Sequence, residues 1–285
     1  MRLYALGELL DAFGKPGAVA AFNFIDLDDL KGIVAAAEEE HTPVVIQVSQ
    51  STARSVGVGY MAAIGRAAAQ IAAVPLCLHL DHASDFDLIV QAVCAGFSSV
   101  MVDGSHLPFP ENVAFTKEVV KVAHAAGISV EAELGRIGGK EDTQDVLACD
   151  ASLADPDEAR EFVRLTRIDA LAPAVGTSHG LYKGEPHIRF DLIEAVRDLV
   201  SVPLVLHGGS DIPREMVRRA IDAGIRKFNV ATDLQVVHAN MLLQALAGYS
   251  GAGAPDMRKL HARVVEGIRL AAQDKIRMCM WNPES

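Results

Sequence analysis

Apolar residues along the chain fall into two alternating kinds of segment. Short runs rich in Val, Ile, Leu and Ala occupy 19–24, 43–48, 75–80, 99–102, 128–134, 171–175, 203–206 and 227–230, with the length and composition of buried strands. Longer stretches between them carry apolar residues at helical spacing: 28–40, which opens on acidic residues, 110–126, and 213–223, where Pro213 sits near a first-turn position. Eight strand-then-helix units with no change of compositional regime predict an α/β protein. Its parallel strands should close into a (β/α)8 TIM barrel rather than an open doubly wound sheet. A single domain over 1–285 is expected, with a helical extension at 256–274. Three segments read as loops: 135–152, glycine-rich and charged; 178–189, after the sixth strand; and 248–255, ahead of the last helix. Loops at a barrel mouth are where lids arise.

Composition sharpens this picture. Hydrophobic residues make up 50% of the chain but aromatic ones only 5%, so Ala, Val, Ile and Leu must fill the interior, as strands covered on both faces require. A formal net charge of -11 argues against a nucleic-acid partner, and Arg214, Arg218 and Arg219, at helical spacing, are better explained as a solvated helix face. Cys77, Cys94, Cys149 and Cys279 form no CxxC pair and are too sparse for a disulfide framework, which suits a reducing compartment. The N-terminal segment carries Glu8 and Asp11 without a signal-peptide pattern. The longest uncharged stretch, 67–80, holds Gln70 and Pro75 and is too short to span a bilayer. A cytoplasmic protein that does not engage membranes is expected.

In a (β/α)8 barrel the chemistry sits at the C-terminal ends of the strands. Those positions hold Asn23, Ser49, Asp81 with His82, Asp103, Glu133, His179, His207 and Asn229, while the strand interiors read as nearly all apolar. Any one of these histidines is more simply explained as a helix cap or a satisfied buried side chain; their convergence on one mouth changes the balance. Three imidazoles without a thiolate suit a borderline ion such as zinc, and three protein ligands leave a position open for substrate. Asp103 and Glu133 are candidates for alternative or second-site metal ligands, or for orienting the histidines.

The loops after the seventh and eighth strands, Gly208-Gly209-Ser210 and Asn229-Val230-Ala231-Thr232, combine glycines with hydroxyls. A tight strand-to-helix turn would explain the glycines alone. Freed backbone N–H groups and the positive ends of the following helices also favour a phosphate there. A metal beside a phosphate pocket points to a phosphorylated substrate.

Five segments extend the match: His79-Leu80-Asp81-His82, 130–135, Gly176-Thr177-Ser178-His179-Gly180, His207-Gly208-Gly209-Ser210 and Asn229-Val230-Ala231-Thr232. Together they resemble the class II, zinc-dependent ketose-bisphosphate aldolases, closest to the tagatose- and fructose-1,6-bisphosphate enzymes, over nearly the whole chain. The resemblance implies that His82, His179 and His207 hold one catalytic zinc, with a monovalent cation as a further candidate, and that Asp81 is the acid/base group at the C4 oxygen. It implies that Gly180, the stretch 208–210 and Asn229, Val230, Ala231 and Thr232 bind the dihydroxyacetone-phosphate half, near Asn23 and Ser49. Asn229 would donate to the C2 oxygen, Glu133 would approach the metal in an empty site, and Glu141 would move the C3 proton. Arg258, donated by a neighbouring subunit, would grip the second phosphate, which requires a homo-oligomer, a dimer or a tetramer.

Ala231, Arg136 and the continuation Gly209-Ser210-Asp211-Ile212 lean toward tagatose 1,6-bisphosphate over fructose 1,6-bisphosphate. A phospho-deoxyketogluconate aldolase and a structural subunit of an aldolase assembly are further alternatives, as is a catalytic chain paired with an activating noncatalytic subunit. A Schiff-base aldolase would need an interior lysine. The sixth strand has none, and Lys227 is expected at the entry of the eighth, far from the mouth.

Overall fold

The computed structural model describes residues 2–13, 17–141, 144–147, 151–182, 184–247, 249 and 255–280. All eight expected strands form. They are β1 (Val19–Asn23), β2 (Val44–Ser49), β3 (Leu76–Ala83), β4 (Ser99–Val102), β5 (Ser129–Leu134), β8 (Ala170–Pro173), β10 (Leu204–Leu206) and β11 (Ile225–Val230). They close in the order β1-β11-β10-β8-β5-β4-β3-β2, with every pairing parallel. Short strands β6 (Gly138–Glu141), β7 (Gln144–Val146) and β9 (Ser178–His179) lie outside the barrel.

The helices α1 (Leu6–Phe13), α2 (Leu27–Glu39), α3 (Gln50–Val56), α4 (Val58–Ile71), α5 (Phe86–Ala95), α6 (Phe109–Ala125), α7 (Pro156–Thr166), α8 (Phe190–Leu199), α9 (Arg214–Ala223), α10 (Thr232–Ala247) and α11 (Met257–Cys279) complete the architecture. Asp26, Asp85 and Asp155 cap α2, α5 and α7 by accepting two backbone N–H groups each, which sets where those helices begin. The last helix runs past the expected 274 because its apolar stripe continues through Leu260, Val264, Ile268, Ala272 and Ile276. No described helix is long and apolar enough to cross a membrane.

Side chains on each barrel strand alternate between the helix layer and the barrel interior. Outward residues such as Phe22, Ile46, Leu78, Val100, Val130, Leu206 and Phe228 pack under the helices. The interior is stratified. At its N-terminal end, α1 plugs the barrel with Leu6, Leu9 and Leu10 against Val19, Ala21, Val45, Cys77, Met101 and Val205. Above that lies a polar layer, with Gln47, His79, Ser99, Glu131 and Lys227 all fully buried. The expectation of a nearly apolar interior is therefore corrected. A second correction concerns Lys227, whose side chain lies inside the barrel and reaches toward the mouth, because inward positions repeat every second residue and Asn229 is two residues on.

The segment 135–152 is not structureless. β6 and β7 form a hairpin, and β6 pairs with β9 so that Gly139 lies opposite His179. A side chain at Gly139, whose φ is +93°, would come within 2.3 Å of His179 O. Most of 248–255, like Cys149, lies outside the described residues.

Helix α11 closes the barrel's outer layer against α2. A Cβ on Gly32 would meet Ile268 at 2.7 Å and Val265 O at 2.8 Å. Gly32→Ala is therefore expected to cost about 1–3 kcal/mol through overpacking, read as a lowered denaturation midpoint with an unchanged m-value; an unaltered midpoint would contradict this packing.

Candidate active site

Asp81 and His82 are adjacent, so a regular strand would send them to opposite faces. The register of β3 against β4 shifts between Leu80 and Ala83, and His82 takes φ +46°, a left-handed conformation rare for a residue with a side chain. This local distortion lets both face the mouth. His207 follows the end of β10, and His179 lies on β9, braced by the hairpin. Donor atoms of His82, His179 and His207 all lie within 4.8 Å of one another.

Carboxylates hold two of these rings from behind. His82 Nδ1 is 3.1 Å from Asp103 Oδ2, and His207 Nε2 is 2.7 Å from Glu131 Oε1. Each carboxylate accepts from the ring N–H that faces it, which leaves a lone pair on the other nitrogen. Those nitrogens, His82 Nε2 and His207 Nδ1, stand 2.7 Å apart. Two bare lone pairs repel at that distance unless a proton or a cation is shared by both, and with the His179 donor within 4.8 Å of each, this donor set fits a metal ion held to one side of the pair. Burial and the neighbouring His82 both push the His207 pKa down, favouring the neutral ring that a metal requires.

Asp103 and Glu133 divide their roles. Burial raises Asp103, but its hydrogen bonds from His82 and Ser105 outweigh that and hold it well below the usual carboxylate range. Glu133 is pushed up to about 8, by burial first and by the charge on Asp103 second. Both carboxylates approach His82 on its Nδ1 side, at 3.1 and 3.6 Å, away from the nitrogen that faces His207. Neither therefore shares the three-histidine cluster in this arrangement.

Asp81 is anchored on one side only. Its Oδ2 accepts from Asn23 Nδ2 at 2.8 Å and Gln47 Nε2 at 3.3 Å, while Oδ1, buried, has no partner. Asn229 Nδ2 lies 3.2 Å from both ring nitrogens of His207, and Asn229 Oδ1 is likewise unpartnered. Buried polar atoms left open in this way, clustered at one mouth, mark where a ligand would satisfy them.

The loops expected to bind phosphate meet at the same end. Gly180 and Gly208 adopt φ of +87° and +67°, and a Cβ on Gly208 would be 2.6 Å from Ser178 O, so only glycine allows these loops to approach. Tyr182 bridges them: its hydroxyl accepts from Ser178 N at 2.9 Å and donates to Gly208 O at 3.0 Å. The Gly209 N–H is already committed to Asn229 O, and Ser210 Oγ accepts from Asp233 N in the first turn of α10. Ala231 O receives Leu234 N and Gln235 N as α10 opens at Thr232, while the Val230 side chain packs outward in the helix layer. Ser49 caps α3 beside Asp81.

One expected residue, Arg258, is not gathered here. The Arg258 side chain is 91% exposed and pairs with Asp256 in the first turn of α11. The backbone of Glu141 ends β6, and its side chain lies outside the described residues. Conversely, Gln47, His79, Glu131, Tyr182 and Lys227 belong to the site or its support and were not expected. For four of them the signal is a period-two pairing with a mouth residue: Gln47 with Ser49, His79 with Asp81, Glu131 with Glu133, Lys227 with Asn229.

The family model for class-II fructose-bisphosphate aldolase matches residues 6–282. A fructose-bisphosphate aldolase from Geobacillus stearothermophilus is 46% identical over 252 residues, covering 87% of each chain. A probable fructose-bisphosphate aldolase from Bacillus subtilis (strain 168) is 44% identical with the same coverage. Among solved structures, the YdjI aldolase from Escherichia coli K12 matches with a TM-score of 0.86 and 34% identity over 99% of each chain.

Tyr182→Phe removes the hydroxyl that ties the two glycine loops. It should lower stability by about 1 kcal/mol and speed hydrogen exchange at the Ser178 amide; unchanged protection there would rule out the bridge in solution.

Proposed function

The chain belongs to the class-II fructose-bisphosphate aldolase family, and we propose that it reversibly cleaves fructose 1,6-bisphosphate to dihydroxyacetone phosphate and glyceraldehyde 3-phosphate. It is a carbon–carbon lyase; the choice of sugar and the residue roles are what this reading adds. The observation that carries it is the meeting of three imidazole donors with a half-anchored Asp81 at one barrel mouth.

His82, His179 and His207 would hold the ion. Zinc bound there would polarise the ketone oxygen as a Lewis acid, roughly several kcal/mol of stabilisation for developing negative charge. The Asn229 amide can direct an N–H at the same oxygen, as an oxyanion donor does. Asp81, with Oδ2 held by Asn23 and Gln47, presents Oδ1 to take the C4 hydroxyl proton in cleavage and return it in condensation. General acid–base help of this kind is typically worth about 10²- to 10⁴-fold in rate. Gly180, Gly208 and Ser210 with the N-terminus of α10 would hold the phosphate of the dihydroxyacetone half. Glu141 would carry the C3 proton. Arg258 would take the second phosphate across a subunit interface, so the working enzyme would be at least a dimer.

Fructose 1,6-bisphosphate is preferred because the two similar relatives carry that name. The tagatose preference finds no support among them. It keeps one favouring observation: Ala231, at the opening of α10, cannot hydrogen-bond a sugar hydroxyl, which should loosen discrimination at C4. The three histidines and Asp81 occurring together favour a catalytic chain over a structural subunit.

Three outcomes test this. Chelation should abolish cleavage and zinc should restore it, with no adduct trapped by borohydride and substrate; retained cleavage or a trapped adduct would sink the metal mechanism. Asp81→Asn should cut turnover at least about 100-fold while zinc content stays at the wild-type level, and unaltered turnover would remove it from proton transfer. Side-by-side kcat/KM values should favour fructose over tagatose bisphosphate, and a preference for tagatose of about tenfold or more would reverse the assignment.

A further inference from the structure

Beneath the three histidines, inside the barrel, the carboxylate behind His207 is itself one half of a charged pair. Lys227 and Glu131 are fully buried, with Nζ 2.8 Å from Oε2. The other carboxylate oxygen, Oε1, is 2.7 Å from His207 Nε2. His79 Nε2 approaches Oε2 at 3.8 Å, and His79 Nδ1 is held by Ser99 Oγ at 2.8 Å. The next layer toward the barrel floor is apolar, with Val45, Cys77, Met101 and Val205.

A buried ion pair is poor value for stability, since apolar residues of similar volume commonly do as well or better. Its presence one layer below the mouth calls for another role. We propose that Lys227 and Glu131 act as a positioning pair: Lys227 fixes the Glu131 carboxylate, and Glu131 in turn holds His207 as the Nε2–H tautomer with Nδ1 presented to the metal.

The geometry supports each link. A carboxylate with one oxygen on an ammonium can turn little, so the other oxygen stays aimed at the imidazole. An imidazole whose N–H donates to a carboxylate is a stronger donor through its second nitrogen, and its ring plane is fixed. His82 receives similar backing from Asp103, steadied by Ser105 N and Oγ at 3.1 and 2.7 Å. Of these two supports, the one behind His207 carries a cation, Lys227 on Glu131. That cation offsets the Glu131 charge, so the ligand is oriented without adding net negative charge below the ion. The same contact explains why Lys227, although interior, is not placed as an amine nucleophile: its ammonium is turned to Glu131, beneath His207.

This inference rests on the three histidines as zinc ligands and not on the sugar. The test is zinc affinity of the full-length chain, measured with zinc alone by competition against a chromophoric chelator. Glu131→Gln together with Lys227→Met removes both buried charges at once, so neither is left unpaired. The double variant should melt cooperatively and bind zinc about 10- to 100-fold more weakly than wild type. Cooperative melting with affinity within twofold of wild type would overturn the positioning role. A measurement on the unaltered chain does not depend on the variant folding: histidine ¹⁵N shifts of the zinc-loaded protein should show His207 protonated at Nε2 and ligating through Nδ1, and the opposite tautomer would overturn the proposal. A wild-type chain that binds no zinc would overturn the ligand assignment and this inference together, which separates that failure from the loss of the pair's role alone.

Discussion

Two imidazole nitrogens 2.7 Å apart, both left as acceptors by the carboxylates behind their rings, are the contact around which the rest of this mouth is arranged. Neither ring could hold that orientation unaided, because an imidazole free to rotate or change tautomer would turn an N–H toward its neighbour. Asp103 behind His82 and Glu131 behind His207 prevent it. These carboxylates in turn need partners, which Ser105 and Lys227 supply. The polar layer inside the barrel follows from that chain of requirements, and so does the stratification of the core, with α1 sealing an apolar floor beneath it.

Backbone geometry serves the same end. The positive φ at His82 turns two consecutive residues toward one mouth, a conformation costing on the order of 1–3 kcal/mol that the surrounding pairing must hold. On the opposite side, the β6–β7 hairpin pairs with β9 and fixes the backbone of His179. Glycine at 139 and 208 lets neighbouring backbones approach where a Cβ would clash, and Tyr182 ties the two loops. The distorted strand and the pinned hairpin thus bring three histidines from distant parts of the chain to within one ion's reach.

Much of this was legible beforehand, and the parts that were not share a cause. Strand positions, the helices between them, the mouth residues and the family resemblance all depend on local composition or contiguous motifs. The strand interiors read as apolar because Gln47, His79 and Glu131 each stand between hydrophobic neighbours that face the helices, while Ser99 and Lys227 adjoin the polar Ser98 and Arg226 near the starts of their strands. The inward positions two residues before Ser49, Asp81, Glu133 and Asn229 are Gln47, His79, Glu131 and Lys227. The hairpin in 135–152 left a fainter trace, since strands this short are stabilised by their partner rather than by their own sequence.

The sequence by itself determined the barrel, its order of elements and the residue types at its mouth, because periodicity and strand-end position are properties of the chain read in order. Tertiary structure decided which nitrogen of each histidine faces its neighbours, which carboxylate supports which ring, and that Lys227 lies under the site instead of far from it. Those depend on the registers of β5 with β8, β8 with β10 and β10 with β11, strands that meet only in the closed barrel. A distance such as the 2.8 Å between Lys227 and Glu131 exists only once the barrel has closed.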